Sequence, residues 1–162
     1  EILIGLVGSE MCIRDSYFCF NVQEEVGLRG SGCSAYAVKP DVAVILESTT
    51  AADIDGVTGG DKCCVLGKGP VVSFMDGRTI YDKQIFDLAF EVAKENNIKI
   101  QTKTKIAGGN DAGAIQKSGA GCRVAAVSLP CRYIHSGSSV VKIGDIEETR
   151  RFLPLFLSKL YD

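Results

Sequence analysis

The 162-residue chain has no tryptophan, a single histidine (His135), two methionines and four prolines. Without tryptophan it lacks a frequent stacking platform for sugar rings, which weakens a carbohydrate-processing reading. A formal net charge of −2, with no basic cluster, argues against nucleic acid as the main partner. No apolar run approaches the roughly 20 residues that span a bilayer, so no membrane partner is expected. The first eight residues are apolar-rich but lack a basic n-region and a small-residue cleavage site, so no signal peptide is expected. Cys12, Cys19, Cys33, Cys63, Cys64, Cys122 and Cys131 show no CxxC spacing, which excludes a zinc ribbon. An odd count without a secretory signal points to reduced thiols and a cytoplasmic location. Cys131 lies four residues before His135, but packing accounts for a cysteine in such an apolar run. The Walker spacing is absent, so Leu66-Gly67-Lys68-Gly69-Pro70 is no P-loop, and no internal repeat appears.

What is present reads as an ordinary globular domain, with 46% hydrophobic and 23% charged residues. Its length suffices for one domain with a full core. From Tyr17 onward, strand-like and helix-like segments alternate, the pattern of an α/β layered fold. Strands are expected at 17–22, 41–47, 71–75, 98–106 and 123–129. The run Val42-Ala43-Val44-Ile45-Leu46 suits a sheet covered on both faces. Helices are expected at 28–38, 81–97 and 111–118, with a last one starting near Asp145. Ile85, Leu88, Ala89, Val92 and Ala93 form one apolar stripe. In the last helix, Asp145 and Glu148 have capping-box spacing, Ile146, Leu153, Leu157 and Leu160 form the expected buried face, and Pro154 should kink it. Residues 48–64 form a long Gly- and Asp-rich connection, of a length that is often functional.

The most informative short segment is Gln23-Glu24-Glu25-Val26-Gly27, two adjacent carboxylates at the end of a strand. Side chains alternate along a strand, but that alternation relaxes at its end, so neighbouring acids can converge on one site. Such a pair suits metal-assisted hydrolysis, with one acid binding the ion and the other moving protons. Equally, it could be a solvated pair.

Further blocks follow in a fixed order: Glu47-Ser48-Thr49-Thr50-Ala51-Ala52-Asp53, Leu66 to Pro70, Ala107-Gly108-Gly109-Asn110-Asp111-Ala112-Gly113-Ala114, and Arg132-Tyr133-Ile134-His135-Ser136. Together with Val22 to Gly30, these blocks resemble the dinuclear-metal glutamyl or deblocking aminopeptidases, which form tetrahedral particles and are sometimes labelled endoglucanase M. The resemblance runs from about Tyr17 to the C-terminus. It implies a three-layer αβα zinc-peptidase-like catalytic domain, here only its C-terminal part.

By that resemblance Glu24 is the general base and acid, Glu25 and His135 bind one metal, and Glu47 is the terminal ligand of the other. Many relatives have aspartate where Glu47 stands, so the longer side chain bears on metal spacing and preference. Gly109, Asn110 and Asp111 are expected beside the substrate's amino-terminal residue. Asp111 fits an ordinary helix cap equally well, and Gln116 stands where relatives often carry histidine.

The resemblance also implies a peptide substrate, two divalent ions (zinc or cobalt) in the full-length parent, and a homo-oligomer, either a tetrahedral dodecamer or a dimer. The family's upstream His-x-Asp motif and bridging aspartate are not in this sequence. At most one ion is therefore expected here, with no activity for the chain alone. Residues 1–16 read as translated adapter sequence, expected to contribute nothing to the native fold, with 17–162 as the catalytic-domain part. A non-catalytic remnant or assembly module, and less favourably a glycoside hydrolase, are the alternatives.

Overall fold

The computed structural model describes residues 3–10 and 13–161. Five strands form one sheet in the order β2-β1-β3-β5-β4: β1 (Leu3–Glu10), β2 (Ile13–Phe20), β3 (Val42–Thr50), β4 (Val71–Val72) and β5 (Arg123–Cys131). Among the described residues four α-helices accompany it: α1 (Arg29–Val38), α2 (Lys83–Glu95), α3 (Ala112–Ile115) and α4 (Ile143–Tyr161).

Side-chain alternation in the two central strands explains the layers. On β3 and β5, Ala43, Ile45, Val124 and Ala126 pack with Ala35 of α1 and Ala112 and Ile115 of α3. The intervening residues Val44, Ala125 and Val127 pack with Ile85, Ala89 and Val92 of α2 and with Phe152 and Phe156 of α4. A period of two thus sorts one apolar run onto opposite faces. The result is the expected α/β/α sandwich, α1 and α3 on one side, α2 and α4 on the other.

Strand direction positions the site. β3 and β5 are parallel, β1 is antiparallel to β3, and β2 is antiparallel to β1. β2, β3 and β5 therefore all end at the same edge of the sheet. In α/β sheets, ligands gather outside the carboxyl ends of strands.

Of the segment 1–16, backbone 3–10 pairs with both β2 and β3, and 13–16 open β2. Residues 1, 2, 11 and 12 of that segment lie outside the described residues. The strand expected at 98–106 reduces to one bridge, Val71 with Gln101. There the Gln101 side chain bonds Val65 N, Val65 O and Gly69 O, so that segment stitches a neighbouring loop instead of extending the ladder.

The capping box of α4 does not form. Asp145 instead accepts from the backbone N–H groups of Gly67 (2.7 Å) and Gly69 (2.8 Å), and Glu148 accepts from Lys99 N. The buried stripe of α4 is Asp145, Phe152 and Phe156, while Ile146 is exposed and Leu153, Leu157 and Leu160 are only partly covered. Pro154 sits inside the helix without ending it.

Candidate active site

A cavity of about 490 Å³ opens at the shared carboxyl edge of the strands, lined among others by Glu24, Glu25, Glu47, Gly109 and His135. Five of the seven residues expected to do chemistry or to bind metal ions or substrate thus share one space. Each arrives on its own element.

The acid pair follows β2 in a tight turn. Gln23 has φ 59° and Gly27 φ 115°, and the N–H groups of Gly27 and Leu28 both donate to Glu24 O. Gly27 thus takes a conformation that side-chain-bearing residues rarely adopt. Gly30 permits a close approach, since a Cβ there would lie 2.6 Å from Val22 O. The two glycines of Val22-Gln23-Glu24-Glu25-Val26-Gly27-Leu28-Arg29-Gly30 are therefore required by the turn that presents the acids.

Glu24 is half-buried, and that burial raises its carboxyl above the ordinary value; Glu25 and Asp111 push the same way while His135 opposes them. Glu25 lies 3.1 Å from His135 Nε2, with side chains 71% and 67% exposed respectively. The two residues expected on the same ion therefore meet, from loops after β2 and β5. His135 takes φ 63°, the left-handed region, at the tip of a loop closed by paired backbone bonds between Arg132 and Val140.

Glu47, on β3, differs sharply. Its Oε1 accepts from Asn110 Nδ2 at 2.6 Å and from Ser128 Oγ at 3.4 Å. Burial pushes its carboxyl up to about 7, Glu24 and Asp76 add to that, and the Asn110 bond and the Lys103 charge only partly offset it. A carboxylate desolvated in this way gains from a cation.

Asn110 and Asp111 do not line the cavity, because their side chains are buried and committed elsewhere. Asn110 Oδ1 accepts from Ala112 N, and Asp111 Oδ2 accepts from Asn21 Nδ2 at 3.1 Å. Asp111 makes no side-chain cap, and its Oδ1 is buried with no hydrogen-bond partner among the described residues. Of the expected substrate trio only Gly109 reaches the cavity wall. Gln116 is turned away, its amide near Arg78 O.

Two supports went unread in the sequence. Arg132 holds Asp53 through Nε and Nη2 at 2.7 and 2.9 Å, and Asp53 also accepts from Leu66 N. The guanidinium keeps the Asp53 carboxyl below the usual range. This fork ties the loop after β3 to the loop carrying His135. Both residues lie inside quoted blocks, and their opposite charges were the only signal. Lys103, on the cavity wall, was missed altogether.

Among the described residues no three His, Cys, Asp or Glu side chains cluster closely enough to hold a metal ion. The side chains expected to bind metal stand as one pair, Glu25 with His135, and one single, Glu47. Carboxylates with an imidazole are donors suited to divalent ions such as zinc, so the chemistry fits while the set is partial.

The α/β sandwich is shared with solved peptidases. An aminopeptidase of the archaeon Desulfurococcus kamchatkensis superimposes with a TM-score of 0.81 at 34% identity, covering 84% of this chain and 39% of that one. A TET aminopeptidase of a marine-sediment Thaumarchaeota archaeon gives 0.80 at 36% identity, over 85% and 38%. The lysyl aminopeptidase of Pyrococcus furiosus is 32% identical over 147 residues, 90% of this chain and 41% of the relative. The chain belongs to the M42 glutamyl aminopeptidase family, whose model matches residues 3–152. It spans about two fifths of the length of the curated relatives it matches. Among other structural neighbours, the Pyrococcus horikoshii TET1 peptidase assembles into a tetrahedron or an octahedral shell, and a Thermotoga maritima protein is named an endoglucanase.

Proposed function

We propose that residues 17–162 are the C-terminal part of a metallopeptidase catalytic domain that removes the N-terminal residue of peptides through a dinuclear site. The observation that carries this reading is the single cavity gathering Glu24, Glu25, Glu47 and His135. Glu25 and His135 would hold one divalent ion, zinc or cobalt, and Glu47 the other. Such ions supply Lewis-acid polarisation of the scissile carbonyl and a more acidic water. Glu24 takes the proton from the attacking water and passes it to the departing amine nitrogen. Its raised carboxyl suits that exchange, because an acid–base group works best when its pKa approaches the working pH. The Gly108-Gly109 backbone forms the wall for the substrate's first residue, and Asn110 serves Glu47.

With the donor set partial, the chain alone is expected to bind at most one ion, weakly, and to turn over no substrate. The parent is expected to be a homo-oligomer, a tetrahedral dodecamer or a dimer, and to work in the cytoplasm, where the free thiols of Cys63, Cys64 and Cys131 would stay reduced.

The test is a chimera in which residues 17–162 replace the matching segment of the Pyrococcus furiosus lysyl aminopeptidase. Chelator-sensitive release of amino acids from peptides is expected. Release of reducing sugar from cellulose without peptide cleavage would replace this reading with the glycoside hydrolase. Inactivity with two metals bound would support a non-catalytic remnant.

A further inference from the structure

We infer that Tyr81 is a positioning residue for Glu47, acting through Asn110 and held in turn by Asp76. The inference rests on the metal-site reading of Glu47 and adds to it a buried chain of hydrogen bonds with one consistent direction. Asp76, 5% exposed, is fixed by the N–H groups of Arg78 (2.7 Å) and Thr79 (2.8 Å), both donating to Oδ1. That leaves Oδ2 to accept the Tyr81 hydroxyl proton at 2.5 Å. With its proton committed, Tyr81 Oη can only accept, and Asn110 Nδ2 donates to it at 2.8 Å. The remaining Nδ2 proton of Asn110 goes to Glu47 Oε1 at 2.6 Å.

The amide cannot be turned over. Its oxygen accepts from Ala112 N at 2.8 Å, and a flipped amide would set oxygen against both the Tyr81 oxygen and the Glu47 carboxylate. Tyr81 and Asn110 are 3% and 2% exposed, so water cannot replace a lost partner cheaply. The consequence falls on Glu47: Oε1 is spoken for, while Oε2 has no hydrogen bond among the described residues. One oxygen of a cavity-lining carboxylate is held in a set direction and the other is left for a cation. Partners of this kind around metal-ligating carboxylates shape both geometry and affinity.

Tyr81→Phe keeps the ring, which packs among Ala35, Ile45 and Ile115, and removes only the hydroxyl. In the full chain and in the chimera, calorimetric titration with cobalt should show affinity falling about tenfold or more in this variant. The same substitution should cost nothing further in a Glu47→Gln background, whereas a merely structural role would weaken both backgrounds equally. Carboxyl-13C glutamate labelling gives a readout independent of metal. The Glu47 resonance should move in Tyr81→Phe, and less in Asp76→Asn, with Glu25 unchanged. An unmoved Glu47 resonance in a folded variant, or an equal loss of affinity in both backgrounds, overturns the inference. If the unsubstituted chimera binds no cobalt, the metal reading fails, and the Glu47 resonance alone decides the role of Tyr81. If Tyr81→Phe does not fold, Asp76→Asn carries the same decision.

Discussion

Glu47 is half-buried against Asn110 and Ser128, with Tyr81 and Asp76 behind them, whereas across the same cavity Glu25 and His135 are more than two-thirds exposed and bonded to each other. One half of the cavity is assembled from the core outward, its direction set by groups that cannot move. The other half consists of two loop tips, at least one in a left-handed conformation, tied down from behind by the Arg132–Asp53 fork. A desolvated acid supported in this way carries a standing electrostatic cost that a cation relieves. An exposed pair carries little cost and little preorganisation, so its geometry depends on what it binds. The two halves should therefore respond to substitution in opposite currencies, stability for Glu47 and affinity for the loop pair.

The largest effect belongs to the residue between them. Glu24→Gln in the chimera should lower turnover by about 10²–10⁴-fold with metal content intact. Peptidase rate measured beside metal analysis checks this, and loss of both together would make Glu24 a ligand instead.

Glu47→Gln should stabilise the chain at pH 8. The Glu47 carboxyl is raised from 4.5 to about 7 in the folded protein, so the folded state holds the proton more tightly than the unfolded one. That contribution to stability is complete below pH 4.5 and is lost as pH rises through 7. Removing the charge should recover at most about 3 kcal/mol at pH 8 and almost nothing at pH 4. Urea unfolding in chelator at the two pH values measures it, and parallel pH curves for both proteins would contradict the burial argument.

Deleting residues 1–12 tests the spacing between the halves. β1 runs antiparallel between β2 and β3, which point the same way, so its removal allows β2 to pair directly with β3. That brings Glu24 and Glu25 closer to Glu47 by one strand spacing, about 4.8 Å. Zinc affinity is expected to rise about tenfold, the scale on which donor geometry acts, with stability kept. A collapse of stability would show that β1 is integral to the sheet.

The smallest change in stability is expected for His135→Ala, within about 0.5 kcal/mol because the side chain is exposed. Metal affinity in the chimera should nevertheless drop by at least about tenfold. A variant with unaltered metal affinity would remove His135 from the donor set.

Much of the sandwich could be read from local pattern. The runs Val42 to Leu46 and Val124 to Leu129 became β3 and β5, and the stripe through Ile85, Ala89 and Val92 became the buried face of α2. Reading failed where a side chain serves distant backbone. Asp145 and Glu148 have capping-box spacing but bond Gly67, Gly69 and Lys99, and Gln101 spends its amide on a loop. The α4 stripe was misplaced because apolar residues lie on several faces of that helix, and only packing selects Phe152 and Phe156. In the site, the acids and His135 stand in recognisable blocks. Tyr81 with Asn110 and Arg132 with Asp53 are pairings 29 and 79 residues apart that leave no local trace.

The parallel register of β3 and β5 has a consequence for synthesis. Glu47 stands opposite Ser128, so β3 leaves the ribosome about 80 residues before the strand it must pair with. At about 5–20 residues per second, that delay lasts about 4–16 s. Throughout it Val42, Ala43, Val44 and Ile45 lack their β5 neighbours, and Val44 also lacks the α4 cover that later buries it. Non-local pairing of this kind is slow and prone to aggregate. For a nascent chain the cavity is therefore among the last features to exist, and a chaperone that shields β3 during translation should raise the soluble yield.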